Sequence, residues 1–123
     1  MPCHATQTAP HFVALPHIKN GFRFQELLGH AEKENPASFG VFVLDQGHPL
    51  SYDKFPYHMF FTITEGEVIF EDRDKPESLH LKAGDIAHVA PDTSIRWSSP
   101  TSCKGTYIHL KPLGDHEYIS GIY

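Results

Sequence analysis

From Ser38 onward the chain breaks into short runs in which Val, Ile, Phe, Tyr and Thr recur and apolar and polar positions tend to alternate. The runs are SFGVFVLD, LSYDKF, HMFFTIT, EVIFED, SLHLK, DIAHVA, SIRWS and GTYIHLK. A period of two puts every second side chain on one face, as in a half-buried strand. The segments between them, QGHP, Pro56, EG, RDKPE, AGD, PDT and SPTSCK, carry turn residues. Short strands at this spacing, with almost no helical period, predict an all-β sandwich or barrel. RDKPE has the length and chemistry of a hairpin loop between EVIFED and SLHLK. Upstream the pattern is weaker. Residues 1–34 read as an N-terminal arm and linker: Phe22, Phe24, Leu27 and Leu28 are bracketed by Gly21 and Gly29, and AEKENP is polar and ends in proline. This stretch is expected to be a loop or a single helical turn. The barrel is expected over 35–112 and a C-terminal tail over 113–123.

Composition narrows the picture. The 123 residues make one domain, and with 40% apolar residues they can fill one modest core. Nine Phe, five Tyr and one Trp suit a barrel interior. A net charge of −5 with no basic cluster argues against a nucleic-acid partner. No apolar window is long enough for a membrane span, and the N-terminus has no apolar signal core. The cytoplasm is therefore the expected location. Cys3 and Cys103 fit no zinc or redox spacing and read as ordinary thiols. Ten histidines invite a metal hypothesis that their number alone does not decide.

Two segments carry a resemblance. TITEGEVIFED and SLHLKAGDIAHVAPDTSIRW resemble the two motifs of the cupin superfamily, with Gly66 at the turn glycine and Gly84–Asp85 opening the second motif. Both glycines stand where a tight turn favours positive φ, and Asp85 is placed to cap its own turn. The matches cover about half of the chain. They imply a single-domain RmlC-like jelly-roll β-barrel. Within the cupins, the stretch from Asn35 through GVFVLDQGHPLSYDKF, and IRWSSP, are similar to the ethanolamine-utilisation Q-type branch. The arabinose-regulator sensor domains are a looser likeness.

Metal-binding cupins carry His, His and Glu before the turn glycine and a further His after the second motif. Those positions fall here on Asp53, Phe55, Met59 and Ile95, and one carboxylate is not a metal site. The resemblance therefore implies a barrel with no metal and no other cofactor. A relocated site of His58, His88 and His109 is the alternative.

The candidate chemistry follows from strand positions. His88, in IAHVA, stands where cupins usually carry Phe, Leu or Tyr; a buried imidazole needs a partner, so a structural and a functional histidine both fit. His109 and Tyr107 share one face of the last strand, inward or outward. Tyr57 and Asp53 lie on the approach to the barrel mouth. Met59, Phe61, Trp97, Ile95 and Phe55 are expected in the wall of a largely apolar cavity, with His58 and Tyr107 as further contacts. Arg96 is expected in a surface ion pair, and Lys111 and Glu71 read as surface charges. The expected function is metal-independent acid–base chemistry of lyase, isomerase, dehydratase or cyclase type on a small, largely apolar molecule. His88, His109, Tyr57 and Asp53 are its candidate catalytic groups. Alternatives are a non-catalytic binding module and a metal enzyme using the relocated histidines. A homodimer is the expected assembly.

Overall fold

The computed structural model describes residues 3–123. Its longest strand organises the rest. β5 (Met59–Asp72) joins the runs HMFFTIT and EVIFED into one 14-residue strand. Gly66, at φ 81°, is a bend inside this strand rather than a turn between two. A Cβ there would lie 2.0 Å from the Ser102 carbonyl oxygen, so the close approach of the next strand also demands glycine.

The two halves of β5 serve different parts of the sheet. Its N-terminal half pairs antiparallel with β7 (Ile86–Val89) and β9 (Cys103–His109). Its C-terminal half pairs with β6 (Ser78–Lys82) and β8 (Thr93–Ser98). Beyond β9 the sheet continues through β3 (Ala37–Leu44), β2 (Phe22–His30) and β1 (His17–Lys19). Beyond β8 it ends on β4 (Leu50–Phe55). The whole is one antiparallel sheet curled into an open barrel, about half of the chain in strands. The hairpin at RDKPE and the turn at Gly84 (φ 96°) form as the sequence predicts, and the Asp85 carboxylate accepts from the Lys82 amide at 2.8 Å.

The N-terminal third differs from the expectation. Phe22–His30 is a strand, not a loop or a helical turn, and it pairs along its length with β3. Its alternation is broken by an irregularity between Glu26 and Leu28, which hides the period of two in the sequence. Phe22 and Phe24 face the interior. On the outside of β3, Leu15 is buried with Val41 and Val43, and Phe12 from the short helix α1 (Ala9–Phe12) packs with them. This third is thus part of the sheet and its outer cover. Met1 and Pro2 of the expected arm lie outside the described residues.

The tail is also structured. A 3-10 helix at Glu117–Gly121 lies across one end of the barrel, with Tyr118 and Ile122 buried in the main core. Cys103 is buried, Cys3 is exposed and both are free thiols. No helix among the described residues is long and apolar enough to cross a membrane.

Lys111 corrects a sequence expectation. It is no surface charge: its side chain is 0% exposed and its ammonium donates to the Glu26 carboxylate, itself 6% exposed. The same carboxylate accepts from the Gly114 amide at 3.1 Å and pairs with His116 Nε2 at 2.8 Å. Burial raises the Glu26 pKa, but hydrogen bonds from Lys111, Gly114 and His116 outweigh it and hold the carboxyl below its ordinary value. One glutamate on β2 therefore anchors the start of the tail. Glu71, in contrast, pairs with Arg96 near the surface at 2.7 Å, as that arginine's position suggests.

A buried pair is more costly to halve than to replace. Lys111→Met, which leaves Glu26 facing an apolar side chain, is expected to lower unfolding free energy by about 3–5 kcal/mol. Lys111→Met combined with Glu26→Gln is expected to lose clearly less. Urea denaturation of the two variants checks the order, and a double variant less stable than the single would contradict it.

Candidate functional site

Strand alternation builds the interior. Met59, Phe61 and Ile63 of β5 point inward, as do Ile95 and Trp97 of β8 and Tyr107 and His109 of β9. With Phe22, Phe24, Phe42, Tyr52, Phe55, Phe70 and residues of the tail, they surround a cavity of about 80 Å³. Its wall is carbon almost throughout. The expected wall residues Met59, Phe61, Trp97, Ile95 and Phe55 are all there.

The polar groups of the interior cluster around one histidine. His109 is 5% exposed, with its ring 4.6 Å from that of Tyr107, 5.3 Å from that of Tyr118 and 5.2 Å from that of Phe55. His109 Nδ1, Tyr107 Oη and Tyr118 Oη are all buried without a hydrogen-bond partner among the described residues. Such groups are rare, because each forfeits its hydration. Burial, helped by the Lys111 ammonium nearby, pushes the His109 pKa down to about 3. Burial also raises both tyrosines, with the neighbouring Tyr118 and the charge of Glu26 adding to the effect at Tyr107, and Glu26 at Tyr118. At neutral pH all three groups are therefore uncharged.

The other candidates lie elsewhere. His88 does not reach the cavity: it sits on the outer face of β7, opposite Phe60 of β5, and is exposed. Its face-sharing neighbour Ile86 is 77% exposed, so the face is outward. His58 is outside as well, with its Nδ1 2.9 Å from Nε2 of His88, and the His88 ring stacks on Phe60 at 4.7 Å. The partner that His88 needs is thus another surface histidine, and neither group is placed to contact a molecule inside the barrel. The relocated triad is not assembled either, since His58 and His88 are separated from His109 by the sheet.

Asp53 faces away from the cavity because β4 is irregular between Tyr52 and Phe55, where Lys54 adopts φ 50°. The extra residue turns both Tyr52 and Phe55 inward and leaves the Asp53 side chain 68% exposed. It accepts from Arg73 and from the Tyr123 hydroxyl at 2.7 Å, and these two bonds hold its carboxyl below the ordinary range. Tyr57 is half-buried at the rim and donates to Asp115 of the tail at 3.2 Å. Neither Asp53 nor Tyr57 joins the cluster around His109.

A metal does not fit this interior. Phe55, Met59 and Ile95 present carbon and one thioether where cupin ligands would stand, Asp53 turns outward, and His109 is the one imidazole in the cavity wall among the described residues. Tyr118 was not among the expected site residues; it lies in a tail whose sequence has no period to place it. Phe22 and Phe24, spaced by two, did carry a strand signal.

No protein-family model and no curated protein matches the sequence. Solved structures do match in three dimensions. An ethanolamine utilization protein Q from Salmonella typhimurium is similar at 19% identity and TM-score 0.65, over 78% of this chain and 77% of that one. Ectoine synthase from P. lautus is similar at 14% identity and TM-score 0.72, over 85% and 76%. A cupin superfamily protein from Desulfitobacterium hafniense is similar at 14% identity and TM-score 0.64, over 90% and 94%. The fold is that of a cupin. At these identities the likeness extends to the fold, and the chemistry rests on the chain's own residues.

The His109 environment has a consequence for stability. Unfolding returns its pKa from about 3 to an ordinary value near 6.5. The unfolded state therefore binds the extra proton, and stability falls as pH drops from about 6.5 towards 3, by up to about 1.4 kcal/mol per pH unit. Above about pH 6.5 the contribution is fully present. In His109→Phe the slope between about pH 6.5 and 4.5 is expected to flatten. Urea midpoints across that range measure it; equal slopes in the two proteins would contradict the assignment.

Proposed function

We propose that the barrel binds a small, largely apolar molecule by one oxygen and carries out metal-independent acid–base chemistry on it, of lyase, isomerase, dehydratase or cyclase type. The observation that carries this reading is the cluster of His109 Nδ1, Tyr107 Oη and Tyr118 Oη, buried and unpartnered beside an apolar cavity. A tyrosine hydroxyl donates, and so does an imidazole protonated at Nδ1. Donors fixed in a dry site stabilise negative charge that develops on a ligand oxygen and need not reorganise as it forms. A neutral histidine polarises a carbonyl in this way without giving up a proton. Of the four expected catalytic groups, His109 carries this role, and His88, Tyr57 and Asp53 do not.

A second reading is a non-catalytic binding module. One observation favours it: among the described residues, no Asp, Glu, Lys or Arg lines the cavity. Proton abstraction then falls to His109, and a group with a pKa near 3 is a weak base at neutral pH. Turnover separates the two. Thermal-shift screening against small hydroxy and carbonyl compounds is expected to find ligands whose binding weakens at least about ten-fold in His109→Phe and Tyr107→Phe, the loss expected for a hydrogen bond inside a dry site. His88→Phe is expected to bind them unchanged. Conversion of a bound compound, followed by proton NMR and lost in His109→Phe, supports the enzyme; binding with no conversion of any ligand supports the module.

The homodimer is proposed on the outer face of β5 and β7. Phe39, Phe60 and Ile86 are exposed there. The groove between β3, β9, β5 and β7 is lined by Phe39, Phe60, Ile86, His88 and Ile108 and by no charged residue. In a chain of net charge −5, an uncharged apolar face lets a second copy approach without like-charge repulsion. Sedimentation is expected to show a dimer for the native chain and a monomer for Ile86→Glu. A native monomer would remove the proposal.

A further inference from the structure

The cavity and the tail do not fit a permanently closed barrel. At about 80 Å³ the cavity is about half the size of the roughly 150 Å³ apolar cavity that takes up benzene. It is too little for the organic ligand that its lining suits. What limits it is the tail, because Tyr118 and Ile122 reach into the interior and form part of the wall.

Tyr118 occupies a built place. Its ring stacks on Phe24 at 6.2 Å and meets Phe55, Tyr57 and His109 edge-on at 6.1, 6.5 and 5.3 Å. The Lys111 ammonium lies 5.2 Å from its centre. One stacked aromatic neighbour, three at right angles and a cation near the π-cloud make a cage for a ring. The Tyr118 hydroxyl lies beside that of Tyr107, yet its backbone tether leaves it, Tyr107 Oη and His109 Nδ1 without a well-formed hydrogen bond among the described residues, which a free ring could supply by shifting in the cage. The segment carrying Tyr118 joins no strand of the main sheet. Its end is held at the rim by two backbone hydrogen bonds between Ser51 and Tyr123 and by the Tyr123 hydroxyl, which bonds Asp53 and accepts from Arg73 at 2.8 Å. These rim contacts are exposed, so they are weak and reversible.

We propose that the cage around Tyr118 is a ligand subsite which the tail fills with its own side chain, and that its ligand is a small molecule with a flat apolar ring and one hydroxyl. The ligand takes the place of Tyr118 when the tail lifts, its ring in the cage and its oxygen among Tyr107 and His109. The Asp53–Arg73–Tyr123 contacts are the latch that sets how often the tail lifts. This rests on the reading of the barrel interior as the binding site and adds the ligand class and the occupant that competes with it.

The probe is 4-methylphenol, the tyrosine side chain as a free molecule, with toluene as its counterpart lacking the hydroxyl. Binding to the full chain is read by amide chemical shifts, and tail release by hydrogen exchange at Tyr123 and Ser51, the two amides of the rim pair. Saturating 4-methylphenol is expected to shift Tyr107 and His109 and to speed exchange at Tyr123 and Ser51. Tyr123→Phe and Asp53→Asn, on the rim and outside the cage, are expected to tighten its apparent affinity about three- to ten-fold by raising the open population. Toluene is expected to bind at least several-fold more weakly than 4-methylphenol, because it leaves the polar cluster unpartnered. The proposal is overturned if 4-methylphenol does not bind, if it binds while the rim amides keep their protection, if neither latch variant tightens it, or if toluene binds equally well. Its failure is distinct from that of the catalytic reading. Displacement of the tail by 4-methylphenol with no compound ever turned over leaves the subsite standing and removes the enzyme.

Discussion

The parity of β5 is the constraint on which the rest depends. This strand pairs with β6, β7, β8 and β9, so the direction of each of its side chains is fixed from both edges. Moving it by one residue would exchange Met59, Phe61 and Ile63 for His58, Phe60 and Thr62 on the inner face. Pairing then carries the choice across the sheet. Met59 stands opposite His109 and Phe61 opposite Tyr107, while Phe60 stands opposite His88. The histidine inside the barrel and the histidines outside it are thus settled by one register. Gly66 extends the constraint past the bend, because only a residue without a side chain lets Cys103 and Ser102 come so close.

Much of the barrel was legible for this reason. A period of two shows in the runs from Ser38 to Lys111, and turn residues separate them. The same period placed Phe61, Ile95 and Trp97 in the wall, while His58, expected as a further contact, lies on the outer face. It could not say which of the two faces of β7 or β9 was inward, since IAHVA and TYIHL each carry apolar residues on both. His88 and His109 were equivalent on that basis, and neighbours distant in sequence decided between them. β2 was missed because its irregularity puts Leu27 and Leu28 side by side and interrupts the alternation that Phe22 and Phe24 begin. Asp53 does lie at the barrel mouth, but the left-handed Lys54 adds a residue to β4 and turns its carboxylate outward, which a count of positions in a regular strand does not register.

The charges were harder still. Lys111 follows the last strand and precedes Pro112, a context that reads as surface. Its burial depends on Glu26, 85 positions earlier, coming to lie beneath it. Period and composition say nothing about such pairs, because burying an ion pair has no cost that local sequence registers until both partners are in place. Tyr118 shares this dependence. It belongs to a segment with no period of its own, and its position follows from Glu26 holding Gly114 and His116 just before it.

The same glutamate sets a limit on how the tail can move. Gly114 and His116 are tied to a buried carboxylate that also neutralises Lys111, so releasing them exposes a charged pair. Beyond His116 the contacts are of another kind: apolar side chains in the cavity and exposed hydrogen bonds at the rim. Opening the segment from Glu117 to Tyr123 exposes apolar area and breaks surface bonds, and it leaves the ion pair intact. A ligand that refills the cage recovers the apolar term, and one with a hydroxyl also partners groups that Tyr118 leaves unpaired. In the proposed opening the hinge therefore falls between His116 and Glu117, where a stretch anchored on a buried ion pair meets one held by apolar packing, by the Lys111 contact with the Tyr118 ring and by exposed rim bonds.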